Sequence, residues 1–145
     1  MRTRVKPFIA AVVATFLLPA CAGSPVEEGL FFPTWGAGGA APTAIVQGTL
    51  VEDNHCLFVE AGGQRTLVIW EDGMGFEDAT LLDTSGSPIS HVGETIHGGG
   101  GYFGERGHIE ELSGGSIPDR CVPDVRNGDS FAIIYDVEAG PFGLS

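Results

Sequence analysis

Apolar and polar positions alternate with a period of two along the middle of the chain, which indicates β-strands rather than helices. Ala44–Val51 has one mostly apolar face, and short turn sequences separate it from Cys56–Val59 and from Thr66–Trp70. Thr66–Trp70 is apolar on both faces, so we expect it to be the central strand. Residues 43–70 are therefore predicted to form a three-stranded meander joined by tight turns.

Shorter apolar runs predict further strands after this meander. They are Ala79–Leu82, Ile89–Ile96 with a glycine interruption, and a closing strand at Ser130–Tyr135. Glu71–Asp78 is predicted to be a polar loop anchored by Phe76. Five or six short strands with frequent turns predict an all-β fold, a small antiparallel barrel or sandwich.

Two segments of the domain are predicted to be irregular. Gly98–Gly107 is rich in glycine, whose backbone freedom opposes regular structure. Residues 117–123 are expected to be held in place by Cys121. Outside the first 20 residues, no stretch of more than ten residues has the 3.6-residue period and capping residues of a helix, so we predict no helix in the folded domain.

The first 20 residues have the composition of a secretory signal peptide. Arg2, Arg4 and Lys6 form a basic head, and an apolar run from Phe8 to Ala20 follows without an acidic residue. That run is shorter than the roughly 20 apolar residues needed to cross a bilayer. A cleaved leader is therefore favoured over a transmembrane helix.

Leu18-Pro19-Ala20-Cys21 resembles a lipobox, the cleavage motif of bacterial lipoproteins. The resemblance implies cleavage before Cys21, a diacylglycerol on its sulfur, and a further fatty acyl chain such as palmitate on the new amino group. Several chains hold a protein in a bilayer far better than one. The implied location is the extracytoplasmic side of the cell membrane or outer membrane. The alternative is an ordinary signal peptide, with Cys21 there by chance.

The predicted organisation has four parts: a lipoprotein signal peptide over 1–20, a lipidated cysteine with a Gly/Pro-rich tether over 21–42, a small β domain over 43–138, and a tail over 139–145. Leu30–Trp35 is more apolar than a bare linker needs to be. These residues either pack on the domain or form a patch for a partner, and we favour packing.

The cysteine count indicates one disulfide. Lipidation of Cys21 would leave only Cys56 and Cys121, which are expected to pair in an oxidising compartment. A bridge closing so long a loop stabilises a protein by about 4 kcal/mol in the chain-entropy treatment. A metal site at Cys56 with the adjacent His55 is the alternative, although neither cysteine has the close spacing of a zinc motif.

The charge of the predicted mature chain argues against anionic ligands. All 19 acidic residues follow Cys21, whereas only four arginines do, so its formal charge is −15 compared with −12 for the whole chain. Such a surface repels phosphate backbones and anionic headgroups. We therefore expect no nucleic-acid partner, and contact with the membrane only through the lipid on Cys21.

A further resemblance rests on five short stretches between Val46 and Val137. They are Gly48-Thr49-Leu50, Cys56-Leu57, Leu67-Val68-Ile69-Trp70, Val92-Gly93-Glu94 and Gly98-Gly99-Gly100-Gly101. Together they are similar to an uncharacterised class of small exported bacterial domains. The resemblance implies an OB-like barrel of about five strands and brings no known activity with it.

One glycine run is a candidate ligand loop. It comprises His97, Gly98, Gly99, Gly100 and Gly101. Its start resembles the HGGG oxyanion loop of lipases, which implies backbone N–H groups that hold a developing negative charge. The chain has no G-x-S-x-G nucleophile elbow to accompany it, so a glycine-rich bend or bulge is the competing interpretation.

Histidines and carboxylates could in principle hold a metal. His91 and His97 would share a face of one extended strand, but Glu94 between them would point away. The carboxylates within Asp72–Asp78 surround a glycine turn without the spacing of an EF-hand calcium loop. We therefore expect no metal and no cofactor.

The sequence favours a membrane-anchored envelope lipoprotein whose domain is a non-catalytic binding or accessory module for an envelope protein or a small ligand. A structural or stress-related envelope protein is one alternative. The other is a small hydrolase or metal-dependent enzyme that uses His97 and His91.

Overall fold

A computed structural model of the protein describes residues 25–36 and 41–143. Strands dominate these residues, with one short helix and two 3₁₀ turns. The strands are β1 (Thr34–Trp35), β2 (Ala44–Asp53), β3 (Cys56–Ala61), β4 (Gln64–Glu71), β5 (Gly75–Glu77), β6 (Thr80–Leu82), β7 (Pro88–His91), β8 (Thr95–Phe103) and β9 (Ser130–Ala139). The helix α1 is Arg106–Ser113, and the 3₁₀ turns are Asp119–Cys121 and Val125–Asn127.

Five of these strands close into a barrel, which confirms the predicted all-β fold and selects the barrel over the sandwich. The strand order is β4-β3-β2-β8-β9, and β9 returns to β4 in a parallel pairing from Thr66↔Ser130 to Ile69↔Ile133. The other four pairings are antiparallel. The predicted meander over residues 43–70 is confirmed as β2, β3 and β4.

Strand β4 separates two apolar cores, as its uniformly apolar sequence predicted. Val68 and Trp70 point into the barrel, whereas Leu67 and Ile69 belong to a second cluster on its outer face. All four are fully buried. The barrel interior is filled by side chains from all five strands, and the outer core is covered by segments that precede and follow them.

The chain forms a second, small sheet between the end of β4 and the start of β8 in sequence. Strands β5, β6 and β7 pair in that order, and Phe76 and Leu81 from them join the interior cluster with Met74. The predicted polar loop at Glu71–Asp78 therefore contains a three-residue strand, and its predicted anchor, Phe76, is fully buried. This sheet packs on the barrel at the end where β4 finishes.

Residues 25–36 pack on the barrel, so the prediction of a flexible tether over 21–42 is wrong for this part. Strand β1 pairs in parallel with the end of β4, and the Trp70 N–H donates to the Pro33 carbonyl. Phe32 stacks on Trp70 with ring centroids 5.6 Å apart, and Trp35 is buried in the outer core. The expectation that Leu30–Trp35 packs on the domain is confirmed. Residues 21–24 and 37–40 lie outside the described residues.

The run Gly98–Gly101 lies inside β8, so the prediction of an irregular segment is wrong. A Cβ on Gly98 would lie 2.7 Å from the carbonyl oxygen of Tyr135, and one on Gly99 would lie 2.5 Å from the Tyr135 ring. A Cβ on Gly101 would lie 2.6 Å from Pro42. The glycines are required because neighbouring chain segments occupy the space that side chains would need.

The helix α1 was not predicted. It has eight residues and buries only Ile109, so it lacks the long apolar stripe that identifies a helix in a sequence. Gly114 ends it in the left-handed conformation, with φ of 70°. Glu110 connects the helix to the next segment by accepting the Ile117 N–H at 2.8 Å and the Arg106 Nε–H at 2.9 Å.

The predicted disulfide between Cys56 and Cys121 is present, with its Cα atoms 5.5 Å apart. Both cysteines are fully buried in the outer core. The bridge attaches the segment after α1 to the start of β3. Residues 117–123 are irregular apart from one 3₁₀ turn, as predicted.

Acid is expected to weaken the contact that Glu110 makes between α1 and the segment that follows it. The Ile117 N–H and Arg106 hydrogen bonds lower the pKa of Glu110 below its ordinary value of 4.5. A carboxylate with a lowered folded-state pKa stabilises the fold above about pH 4.5, and this contribution is lost as the pH falls through the folded pKa. Urea unfolding between pH 7 and pH 3 should therefore show a weaker pH dependence in Glu110→Gln than in the wild type.

Glu111→Gln is the matched control, because Glu111 is the exposed neighbour on the same helix. This control should retain the wild-type pH dependence. Equal pH dependence in Glu110→Gln and the wild type would contradict the role given to Glu110.

Candidate functional site

The barrel has two ends that carry different chemistry. At one end, which we call the β5–β7 end, β4 finishes at Glu71 beside the small sheet, and the Asp136 N–H donates to Glu71 Oε2 at 3.3 Å. At the other end, the glycine-turn end, Gly62–Gly63 joins β3 to β4 and β8 finishes at Phe103. A surface cavity lies at each end.

The cavity at the β5–β7 end is acidic. It has a volume of about 180 Å³, and its carboxylates are Glu71, Asp83 and Asp136. Ser85 Oγ, Ser87 N and Ser85 N donate to Asp83 Oδ1 and hold the pKa of Asp83 below its ordinary value. These bonds also explain the tight turn between β6 and β7, because aspartate accepts hydrogen bonds from the backbone that follows it. The cavity favours positively charged groups over anions.

The cavity at the glycine-turn end is aromatic. It has a volume of about 300 Å³ and is lined by Tyr102, Phe103, Gly104, Glu105 and His108. Tyr102 is 48% exposed, and the His108 ring lies against Phe103 with centroids 5.0 Å apart. This arrangement, which we call the Tyr102 groove, offers apolar ring faces beside one carboxylate and one imidazole.

The candidate ligand loop of the sequence analysis lies in the barrel wall. His97 Nδ1 is 2.7 Å from the Gly140 carbonyl oxygen, and its Nε2 is 3.6 Å from Glu138 Oε2. The His97 ring also contacts Phe142 edge-on at 5.6 Å. His97 therefore attaches the C-terminal residues to the barrel, and the predicted tail over 139–145 packs through residue 142. The structure places Gly98–Gly101 in a strand rather than a loop.

The other histidines have separate structural surroundings. His91 Nδ1 is 2.8 Å from Thr80 Oγ1 in the small sheet. Glu94 accepts the His91 N–H at 2.7 Å and the Ser90 hydroxyl at 3.0 Å, and these bonds lower the pKa of Glu94. Within residues 25–36 and 41–143, no group of three or more His, Cys, Asp or Glu side chains has the geometry to hold a metal ion. This applies equally to the carboxylates of Asp72–Asp78.

The outer face of β3 and β4 is closed. Phe58, Leu67 and Ile69 project from it and are covered by Trp35, Ile117 and the disulfide. A ligand cannot reach that face while the covering segments remain in place.

Comparison with known proteins gives no family assignment: no protein-family model, no curated protein and no solved structure matches the chain. In the part of the chain that the structure describes, no helix is long and apolar enough to span a membrane.

Sequence reasoning did not find the Tyr102 groove. Its signal was the pair Tyr102-Phe103 followed by Gly104, inside the predicted irregular segment Gly98–Gly107. Alternation along β8 could not reveal the pair, because four glycines precede it and carry no side-chain pattern. The groove forms only where the end of β8 meets α1.

Proposed function

We propose that the protein is an exported lipoprotein, lipid-anchored through Cys21, whose β domain is a non-catalytic binding or accessory module of the cell envelope. The observation that supports this most directly is the bridge between Cys56 and Cys121. It accounts for two of the three cysteines. The remaining cysteine, Cys21, stands at the end of the lipobox-like sequence.

The bridge also supports the proposed compartment. Disulfides persist in oxidising environments outside the cytoplasm and are rare within it. A buried disulfide in the outer core, far from any C-x-x-C spacing, fits a structural role rather than a redox one. Export is therefore supported by both the leader and the folded domain.

The location of the open surface on this barrel supports the binding role. Side chains fill the barrel interior, so a ligand must bind on the surface. The strand order supports the OB-like interpretation, and in OB barrels the loop between the fourth and fifth strands contributes to binding. The corresponding connection here, between β8 and β9, begins at the Tyr102 groove. We propose this groove as the ligand-facing surface, suited to a neutral or cationic partner.

A pull-down tests this role. The full-length lipoprotein, solubilised from its envelope in detergent, should retain a small ligand or envelope protein, and Tyr102→Ala should reduce the retained amount at least severalfold. Loss of an exposed aromatic anchor removes apolar contact area that dominates many interfaces. Val125→Ala is the matched control, because Val125 is 43% exposed and lies outside the groove. Equal retention by Tyr102→Ala and Val125→Ala, or no retention by the wild type, would contradict the proposal.

A further inference from the structure

We propose that the anchor holds the barrel over the membrane with its β5–β7 end facing the bilayer and the Tyr102 groove facing away. This inference rests on the proposed lipidation of Cys21. Three observations support it: the position of the first described residues, the short stretch of chain between them and Cys21, and the charge of the domain.

The first residues that the structure describes lie at the β5–β7 end. The Pro25 carbonyl accepts the Phe76 N–H at 2.9 Å, and the Glu27 N–H donates to the Phe76 carbonyl at 3.1 Å. Glu27 Oε1 also accepts the Ala79 N–H at 3.3 Å. A Cβ on Gly75 would lie 2.5 Å from the Pro25 carbonyl oxygen, which shows how closely the two segments approach. Pro25 is therefore fixed to the small sheet.

Little chain connects this point to the proposed anchor. Four residue steps separate Cys21 from Pro25, and an extended chain spans at most about 14 Å over that length. Strand β4 alone, with eight residues, extends about 23 Å from the glycine-turn end to the β5–β7 end. The anchor therefore keeps the β5–β7 end near the bilayer, whereas it does not hold the opposite end, which lies about 23 Å away along β4.

Charge determines the orientation of the domain relative to the membrane. The predicted mature chain has four arginines and 19 acidic residues, and Arg65 and Arg106 are each paired with two carboxylates. A negatively charged body attached at one end to an anionic surface is repelled along its whole length. Repulsion favours the orientation that moves the free end outward. The Tyr102 groove at that end is then open to partners beyond the membrane.

The experiment compares two exposed positions at the ends of strands. A fluorescent amino acid is placed at Glu77 in β5, near the proposed membrane side, or at Ala61 in β3, beside the glycine turn. Each acylated, full-length protein is reconstituted into phosphatidylcholine vesicles that contain phosphatidylglycerol and lipids with nitroxide-labelled headgroups. Quenching at short range then reports the distance of each position from the headgroups.

Quenching at Glu77 should be severalfold greater than quenching at Ala61. The difference should shrink in about 1 M salt, where the screening length falls to about 3 Å and the body can tilt. Equal quenching at the two positions in low salt, or greater quenching at Ala61, would overturn the proposed orientation. A difference that salt leaves unchanged would overturn the electrostatic part.

Failure of the proposed anchor would give a different result. A Cys21→Ser protein produced without residues 1–20 should not float with the vesicles, since it carries no lipid and its negative domain is repelled by them. If wild-type protein also fails to float, lipidation of Cys21 is disproved. If it floats and the two positions are equally quenched, only the orientation is disproved.

Discussion

Replacing Gly100 by alanine is expected to destabilise the protein by about 3 kcal/mol or more, at the upper end of the cost of overpacking a core. The added Cβ would collide with the carbonyl oxygen of Ile133 in β9 and would lie 3.0 Å from Val46 Cγ2 inside the barrel. Gly100 pairs with Ala44 on one side and Ile134 on the other. Because both neighbouring strands belong to the closed barrel, neither can move aside without opening a pairing. Urea unfolding followed by circular dichroism measures the effect.

Gly107→Ala is the matched control for this substitution. Gly107 is exposed near the start of α1, and nothing lies within 4 Å of the added Cβ. Alanine there should stabilise the protein by up to about 1 kcal/mol, because it is the better helix former. A Gly100→Ala protein whose free energy of unfolding lies within about 0.5 kcal/mol of the wild type, the range of neutral surface changes, would contradict the packing explanation of the glycine run.

Removing the disulfide should have an effect of similar size. The double variant Cys56→Ala/Cys121→Ala should lose about 4 kcal/mol, since the bridge spans a sequence separation of 65 and restricts the unfolded chain. For a domain of about 100 residues this corresponds to a fall in melting temperature of roughly 15–30 °C. The double variant is preferable to either single one, because it leaves no buried free thiol.

The loss should also be uneven across the fold. The bridge attaches the segment between α1 and β9 to the barrel, so amide hydrogen exchange should accelerate most within residues 106–123. The amides of β2, β3 and β4 should remain the most protected. Uniform acceleration over the barrel and this segment would contradict the view that the disulfide stabilises a separate outer core.

The strands that the sequence predicted correctly are those whose side chains carry a pattern. Alternation in β2 and the uniformly apolar Thr66–Trp70 reflect one buried face and two buried faces, respectively, and the structure confirms both. Strand β8 was missed because glycine has no side chain to alternate. The reason for its glycines lies in Tyr135, Ile133 and Pro42, which are distant in sequence.

The outer core was only partly predictable. The aromatic residues of Leu30–Trp35 indicated packing, and the cysteine count indicated the bridge. The helix α1 gave no usable signal, because a single buried residue, Ile109, has no periodicity. Its position depends on Glu110, on Arg106 and on the disulfide, which are tertiary contacts.

The candidate site was the least predictable feature. The glycine-rich sequence predicted that His97 belongs to a ligand loop. In the structure its ring instead contacts Gly140 and Phe142 and holds them against the barrel. Tyr102 differs from the buried aromatic residues in being 48% exposed, and exposure is a property of the folded surface. Neither the acidic cavity nor the Tyr102 groove could be located before the barrel ends were known.

The intact mass of the mature protein, purified from its native membrane and treated with an alkylating reagent before and after reduction, tests the central claim most directly. We expect a chain that begins at Cys21 with fatty acyl chains attached, and that gains alkyl groups at Cys56 and Cys121 only after reduction. A mature chain without acyl chains, or one that takes up two alkyl groups before reduction, would contradict it.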